Sequence, residues 1–179
     1  MVILEGLIVA GLIFCVLIFL YLKQRGQEKV VPKLQSRTPF KVEARDEKSV
    51  TISTTIEFFN AGKQSAMIVD AICHPLLPFE QYDGIAVRGR AEREGKPRED
   101  DYFEALVLEH QESVNLIAKV TLTARKGMTL EEALSRMVDF PVEFLYREVG
   151  RTPMHWTIAR IILTAEELAK LTGVTLVKE

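Results

Sequence analysis

The chain reads as a mainly β protein: an antiparallel β-sandwich with two short peripheral helices, preceded by one N-terminal transmembrane helix. Three observations predict this. The first 22 residues are almost wholly apolar, with Glu5 the only ionisable side chain before Lys23. From residue 40 onward, apolar residues recur every second position over several runs. Between those runs stand two helix-opening signatures, Thr129-Leu-Glu-Glu132 and Thr164-Ala-Glu-Glu167. Alternation of period two marks strands with one buried face, and a Thr followed three residues later by Glu marks a capped helix start.

Residues 2–22 are assigned to the transmembrane helix. About 20 apolar residues at roughly 1.5 Å rise each span the roughly 30 Å hydrocarbon core of a bilayer, and a helix satisfies its own backbone there. A cleaved signal peptide would want a cationic start and a small-x-small cleavage site. Here the apolar run has no preceding Lys or Arg, and it ends Phe19-Leu20-Tyr21-Leu22-Lys23. An uncleaved anchor is therefore the reading adopted. Tyr21, Lys23, Arg25 and Lys29 form the expected membrane interface, an amphipathic ring and snorkelling cations at headgroup level. Gly6 and Ala10 make a small-xxx-small pair, through which two such helices could form a homodimer.

Residues 23–39 read as a basic juxtamembrane tether, polar, punctuated by Pro32 and Pro39 and lacking either period. Between residues 23 and 41 stand Lys23, Arg25, Lys29, Lys33, Arg37 and Lys41 against Glu28 alone. Cations beside a membrane span stay on the cytoplasmic side, so the N-terminus is expected outside and the domain inside a cell membrane. Cys73, the one cysteine beyond the apolar segment, permits no internal disulfide and agrees with that side. The alternative is the opposite topology, an extracytoplasmic envelope or solute-binding module. The chain holds 23 Lys+Arg and 25 Asp+Glu; setting aside these six cations, Glu5 and Glu28 leaves 17 against 23 beyond residue 41. An acidic body of net −6 argues against a nucleic-acid partner.

Residues 40–179 are assigned to the sandwich. Phe40, Val42 and Ala44 alternate with charged residues, as do Val50, Ile52, Thr54, Ile56 and Phe58 with polar ones. The turn Asn60-Ala61-Gly62 offers residues tolerant of positive φ, and Ser65 to Cys73 follows as a strand. Residues 40–73 thus read as a three-stranded meander. Asp83 to Gly89 reads as a short edge strand and Arg90 to Asp101 as a solvated hairpin loop. Tyr102 to His110, Val114 to Ala124, Val142 to Arg147 and His155 to Leu163 complete the strands. The helices are TLEEALSRMVDF, with Leu130, Ala133, Leu134 and Met137 on one face, and TAEELAKLTG, stopped by Gly173.

Val50 to Cys73, with its turn Asn60-Ala61-Gly62-Lys63-Gln64 and the strand SAMIVDAIC, resembles the B-to-C hairpin of immunoglobulin-like or fibronectin-III-like sandwiches of small membrane-anchored bacterial proteins. The resemblance covers about 25 residues. The buried disulfide of the immunoglobulin pattern is missing and Trp156 falls late in the chain. It implies a binding or scaffolding role and no active-site residues.

No GxGxxG, GxxxxGK[ST], GxSxG, HExxH or CxxC occurs. No catalytic residue, cofactor site or metal site is assigned. Cys73-His74 is the one adjacent soft-ligand pair, and a metal or enzymatic centre would need His110 or His155 to join it. Adjacent residues on a strand point to opposite faces, which disfavours a Cys73–His74 nucleophile pair. In Glu99-Asp100-Asp101 with Glu92 and Glu94, interleaved arginines oppose a calcium loop. Arg151, His155 and Trp156 are the candidate partner surface, since exposed Trp and Arg dominate protein interfaces. The expected role is non-enzymatic binding of a protein at the lipid bilayer.

Overall fold

The computed structural model describes residues 2–98, 100 and 103–177. Among the described residues, helix α1 (Val2–Arg25) leads into nine strands, one 3-10 turn (Leu34–Ser36) and two short helices. The strands are β1 (Val30–Pro32), β2 (Lys41–Arg45), β3 (Ser49–Asn60), β4 (Ala66–Pro75), β5 (Ile85–Arg93), β6 (Leu106–Leu108), β7 (Ser113–Ala124), β8 (Phe140–Val149) and β9 (His155–Leu163). Helix α2 (Leu130–Ser135) precedes β8, and α3 (Ala165–Thr172) follows β9.

Two antiparallel sheets result. One runs β1-β3-β7-β5, with β2 also on β3; the other runs β6-β4-β8-β9. Lettering the strands from β1 and β2 as A, the sheets are A-B-E-D over C-F-G, the immunoglobulin order, with β6 an additional edge strand on C. The expected β-sandwich is thus present. Its inner faces come from the alternating positions: Val50, Ile52, Ile56 and Phe58 of β3 and Leu116, Ala118, Val120 and Leu122 of β7 meet Val142, Phe144 and Tyr146 of β8. Phe58 sits 5.1 Å from Phe144 and edge-on to Tyr146 at 5.3 Å, ring to ring. Each buried Val, Leu, Ile or Phe among them contributes about 1.5–3 kcal/mol.

Both helices form where their caps predict. Thr129 and Glu132 make a reciprocal capping box, Thr164 accepts from the Glu167 amide, and Gly173 closes α3 at φ 72°. Leu130, Ala133, Leu134 and Met137 are all buried as the helical face requires. Helix α2 stops at Ser135 rather than at Pro141, which lies inside β8.

Four expectations need correction. Strands β3 and β4 are not hydrogen-bonded: the chain crosses from one sheet to the other after Asn60, so 40–73 is not a meander and Val50–Cys73 is not a hairpin. Residues 26–39 are not a free tether. Strand β1 pairs with the end of β3, Val30↔Asn60 to Pro32↔Phe58, and Val30 and Glu28 are buried. A three-residue strand is too short to show a period, and its partner lies 30 residues on. The alternation in β2 does not bury a face; all five residues are exposed, and the register shifts between Val42 and Ala44. Finally, the first four residues of the charged segment continue β5, which turns back through an Arg93↔Lys96 bridge. The expected strand start at Tyr102, and Glu99 and Asp101 of the acidic cluster, lie outside the described residues.

Candidate functional site

The outer faces of the two sheets differ in chemistry. On the first, Thr51 and Thr121 share a 2.9 Å hydrogen bond across β3 and β7. Beside them Lys119 bridges Glu92 at 2.6 Å and Glu43 at 3.3 Å, and Ser53 donates to Glu43. This is a polar face cross-linked by charge, with Ser53 and Glu92 themselves buried beneath the ion pairs. The second sheet turns apolar side chains outward instead. Ile72, Leu145 and Ile158 stand side by side across β4, β8 and β9, with Val107, Met67 and Val149 in a parallel row across β6, β4 and β8. Trp156 is 49% exposed, Ile158 53% and Ile162 50%.

A break in β4 sets this face. Asp70 has φ 52° and the pairing with β8 shifts between Val69 and Ile72. The extra residue lets Ala66, Ile68, Ala71 and Cys73 all point inward although simple alternation could not serve all four. It also aims Asp70 at Arg147, 3.0 Å away, and the Arg147 guanidinium lies 4.7 Å over the Trp156 ring. Arg160 and Glu143 form the second paired charge on this face. Both charge pairs are internal, so the face is apolar with little net charge.

The end of the sandwich at the exit of α1 is built around two carboxylates. Glu28 accepts from the Arg151 amide at 2.9 Å, the Thr152 amide at 2.8 Å and the Thr152 hydroxyl. Burial pushes its pKa up, but these donors more than offset that and hold the carboxyl down to about 2. A Cβ on Gly150 would stand 2.4 Å from the Glu28 carboxyl carbon, so only glycine admits this contact. Glu148 accepts from the Val30 amide at 2.8 Å, and burial raises its pKa. Asn60 takes the amides of Gly62 and Lys29 on one oxygen and donates to Gln64, Leu108 and Glu109 carbonyls. Gly62 is needed for a reason other than positive φ: a Cβ there would lie 2.4 Å from the Lys29 nitrogen.

The sequence-derived site residues fall into two groups. Arg25 stacks over the Tyr21 ring at 5.1 Å, and both share a cleft with Arg151. Lys23 lines a neighbouring cleft with Arg151, whereas Lys29 lies on the chain just beyond, bonded into the turn after β3. Trp156 belongs to the sheet face with Arg147 rather than with Arg151. His155 stands between, 3.9 Å from Glu148. The outward residues of β4, β6 and β8 were missed; the signal was present in β9, where Ile158 and Ile162 are apolar on the face opposite Ala159, Ile161 and Leu163.

Cys73 is buried, and that burial pushes its thiol up to about 12, far from a reactive thiolate. Neighbouring His74 faces outward, His110 bonds the Gly62 carbonyl and His155 lies on β9. Among the described residues no three His, Cys, Asp or Glu converge as metal ligands would.

No family model and no curated protein matches this chain. Among solved structures it is similar to the GAE domain of GGA2p from Saccharomyces cerevisiae, at 10% identity over 77% of this chain and 98% of that one, with a TM-score of 0.35. It is also similar to the yeast GGA1 GAE domain, at 8% identity over 68% and 97% of the two chains, with a TM-score of 0.27.

Proposed function

We propose that this chain is a single-pass membrane protein whose sandwich binds a protein partner at the membrane surface and carries out no chemistry. The observation that supports binding is the contrast between the sheets, one outer face polar and cross-linked by charge, the other an exposed apolar patch around Trp156, Ile158 and Ile72. Contiguous apolar surface of that kind marks interaction sites. Helix α1 supports anchoring: Leu4–Arg25 is long and apolar enough to cross a bilayer and none of its apolar window is buried against the sandwich. The basic flank supports a cytoplasmic sandwich, and Gly6 and Ala10 offer a face for pairing of two anchors.

Photo-crosslinking from Ile158 in intact membranes tests the binding face. A discrete adduct is expected, reduced at least ten-fold by Trp156→Ala in a chain that remains folded. Arg151→Ala asks whether the contact extends to the membrane-side loop. An adduct insensitive to Trp156→Ala would place the interface elsewhere. Orientation is tested by fusing to the C-terminus either a reporter fluorescent only in the cytoplasm or one active only after export. Export activity would favour the second reading, an envelope module, for which the same apolar face would serve.

A further inference from the structure

We propose that the end of the sandwich at the exit of α1 is a binding site for the headgroup of an anionic phospholipid, formed by Lys23 and Arg25 of the helix together with Lys63 and Arg151 of the sandwich. The inference rests on reading α1 as a membrane anchor and goes beyond it, because two of the four cations come from loops far away in sequence.

Two clefts of about 380 and 480 Å³ open between the last turn of α1 and the sandwich loops. One is lined by Tyr21, Arg25, Gln64 and Arg151, the other by Lys23, Gly26, Arg151 and Thr152, so Arg151 borders both. The Arg151 backbone is fixed by Glu28, which leaves its exposed side chain directed by a rigid loop. The Lys63 amine lies 3.4 Å from the Gln24 carbonyl and the Gln64 amide 2.9 Å from that of Arg25. These contacts occupy carbonyls whose negative helix end would otherwise repel an anion. Nearby carboxylates are already engaged: Glu28 by three donors of the β8–β9 loop, Glu148 by Val30, and Glu109 by the Ser65 hydroxyl at the rim. Among the described residues none of Lys23, Arg25, Lys63 and Arg151 is held in an ion pair, in contrast to Lys119, Arg147 and Arg160 of the sheet faces. Tyr21, stacked on Arg25, sets the depth, since such rings sit at headgroup level. Cations outside any ion pair, a depth fixed by an aromatic ring and room beside them fit a phosphodiester bearing net negative charge.

The test uses the full chain in nanodiscs containing equal amounts of phosphatidylcholine and phosphatidylglycerol, with spin-labelled forms of each lipid reporting the immobilised fraction. Phosphatidylglycerol is expected to be immobilised preferentially. Lys63→Gln with Arg151→Gln should lower that preference about five-fold per cation removed, and Lys63→Arg with Arg151→Lys should restore it. Unchanged thermal unfolding in the glutamine variant shows that the fold is kept. Absence of preference in the unaltered chain overturns the proposal, as does a preference indifferent to the two loop substitutions, which would assign it to the helix flank alone. Loss of the preference on adding excess inorganic phosphate overturns it in favour of a soluble phosphate ligand. Failure of the chain to enter nanodiscs would overturn the anchor itself, an outcome distinct from all of these.

Discussion

The Glu28 carboxylate accepts both the amide and the hydroxyl of Thr152, a residue 124 positions away, and so joins the segment that leaves the helix to the β8–β9 loop. Its removal leaves the Arg151 and Thr152 amides without their acceptor. Glu28→Ala is expected to cost about 2–4 kcal/mol, from two unsatisfied donors at about 1–3 kcal/mol each with partial access to water. Glu28→Gln, which keeps one acceptor oxygen, should cost less. Because the folded pKa lies below the ordinary 4.5, the stabilisation is present above pH 4.5 and lost as pH falls towards about 2. Denaturant titrations of the detergent-solubilised chain across that window should show a steep decline that Glu28→Ala flattens.

Glu148 behaves in the opposite sense. Burial raises its pKa, so its ionised form is disfavoured in the folded state and the associated stability, present at low pH, is lost as pH rises through the raised value. Glu148→Gln retains an oxygen for the Val30 amide and removes the charge beside Glu28. The expected result is a higher melting temperature than the unaltered chain at neutral pH, with the difference closing in acid. A lower melting temperature at pH 7 would show that the charge itself is needed, through His155.

Gly62→Ala introduces a methyl group 2.4 Å from the Lys29 nitrogen and 2.5 Å from the Gln27 carbonyl oxygen. Both obstacles are backbone and cannot swing aside. A loss of about 2 kcal/mol or more is expected, the usual cost of overpacking. Proteolysis around residues 26–29 should quicken at the same time, because the strand they lead into is displaced. Unaltered stability would mean that the turn relaxes freely.

Cys73 should resist alkylation. In a Cys15→Ser background, maleimide at pH 8 is expected to modify Cys73 at least a hundred-fold more slowly in the folded chain than in denaturant, since the thiol is buried and held near 12. Rapid labelling of the folded chain would reveal an open route to the base of β4.

The parts of this fold visible in the sequence are those set by local period and local capping. Val50 to Phe58 and Leu116 to Leu122 announce their buried face every second residue, and Thr129 and Thr164 announce their helices. What stayed hidden depends on contacts between distant positions. Strand β1 has three residues and no pattern of its own; it exists because the end of β3 offers an unpaired edge. The crossing after Asn60 looks like a hairpin because a turn joins strands in either case, and only the partners of the two strands tell them apart. The bulge at Asp70 is silent in SAMIVDAIC, where alternating polarity is weak. Of the candidate site, the cations at the helix exit and Trp156 were legible by residue type, whereas Lys63 and Glu28 gain meaning from neighbours 39 and 124 residues away.

The hydrogen bonds from Lys63 and Gln64 to the last turn of α1, with the Gln27 and Lys29 carbonyls bound by the Lys63 and Ala61 amides, leave almost no slack between helix and sandwich. A helix on a loose string can spin or tilt without its cargo noticing. Here a rotation of α1 about its axis acts as a torque on β1 and β3, and a lateral pull on the sandwich is felt along the helix. The molecule is thus coupled like a key to its shaft, and whatever grips the blade can turn what lies in the lock.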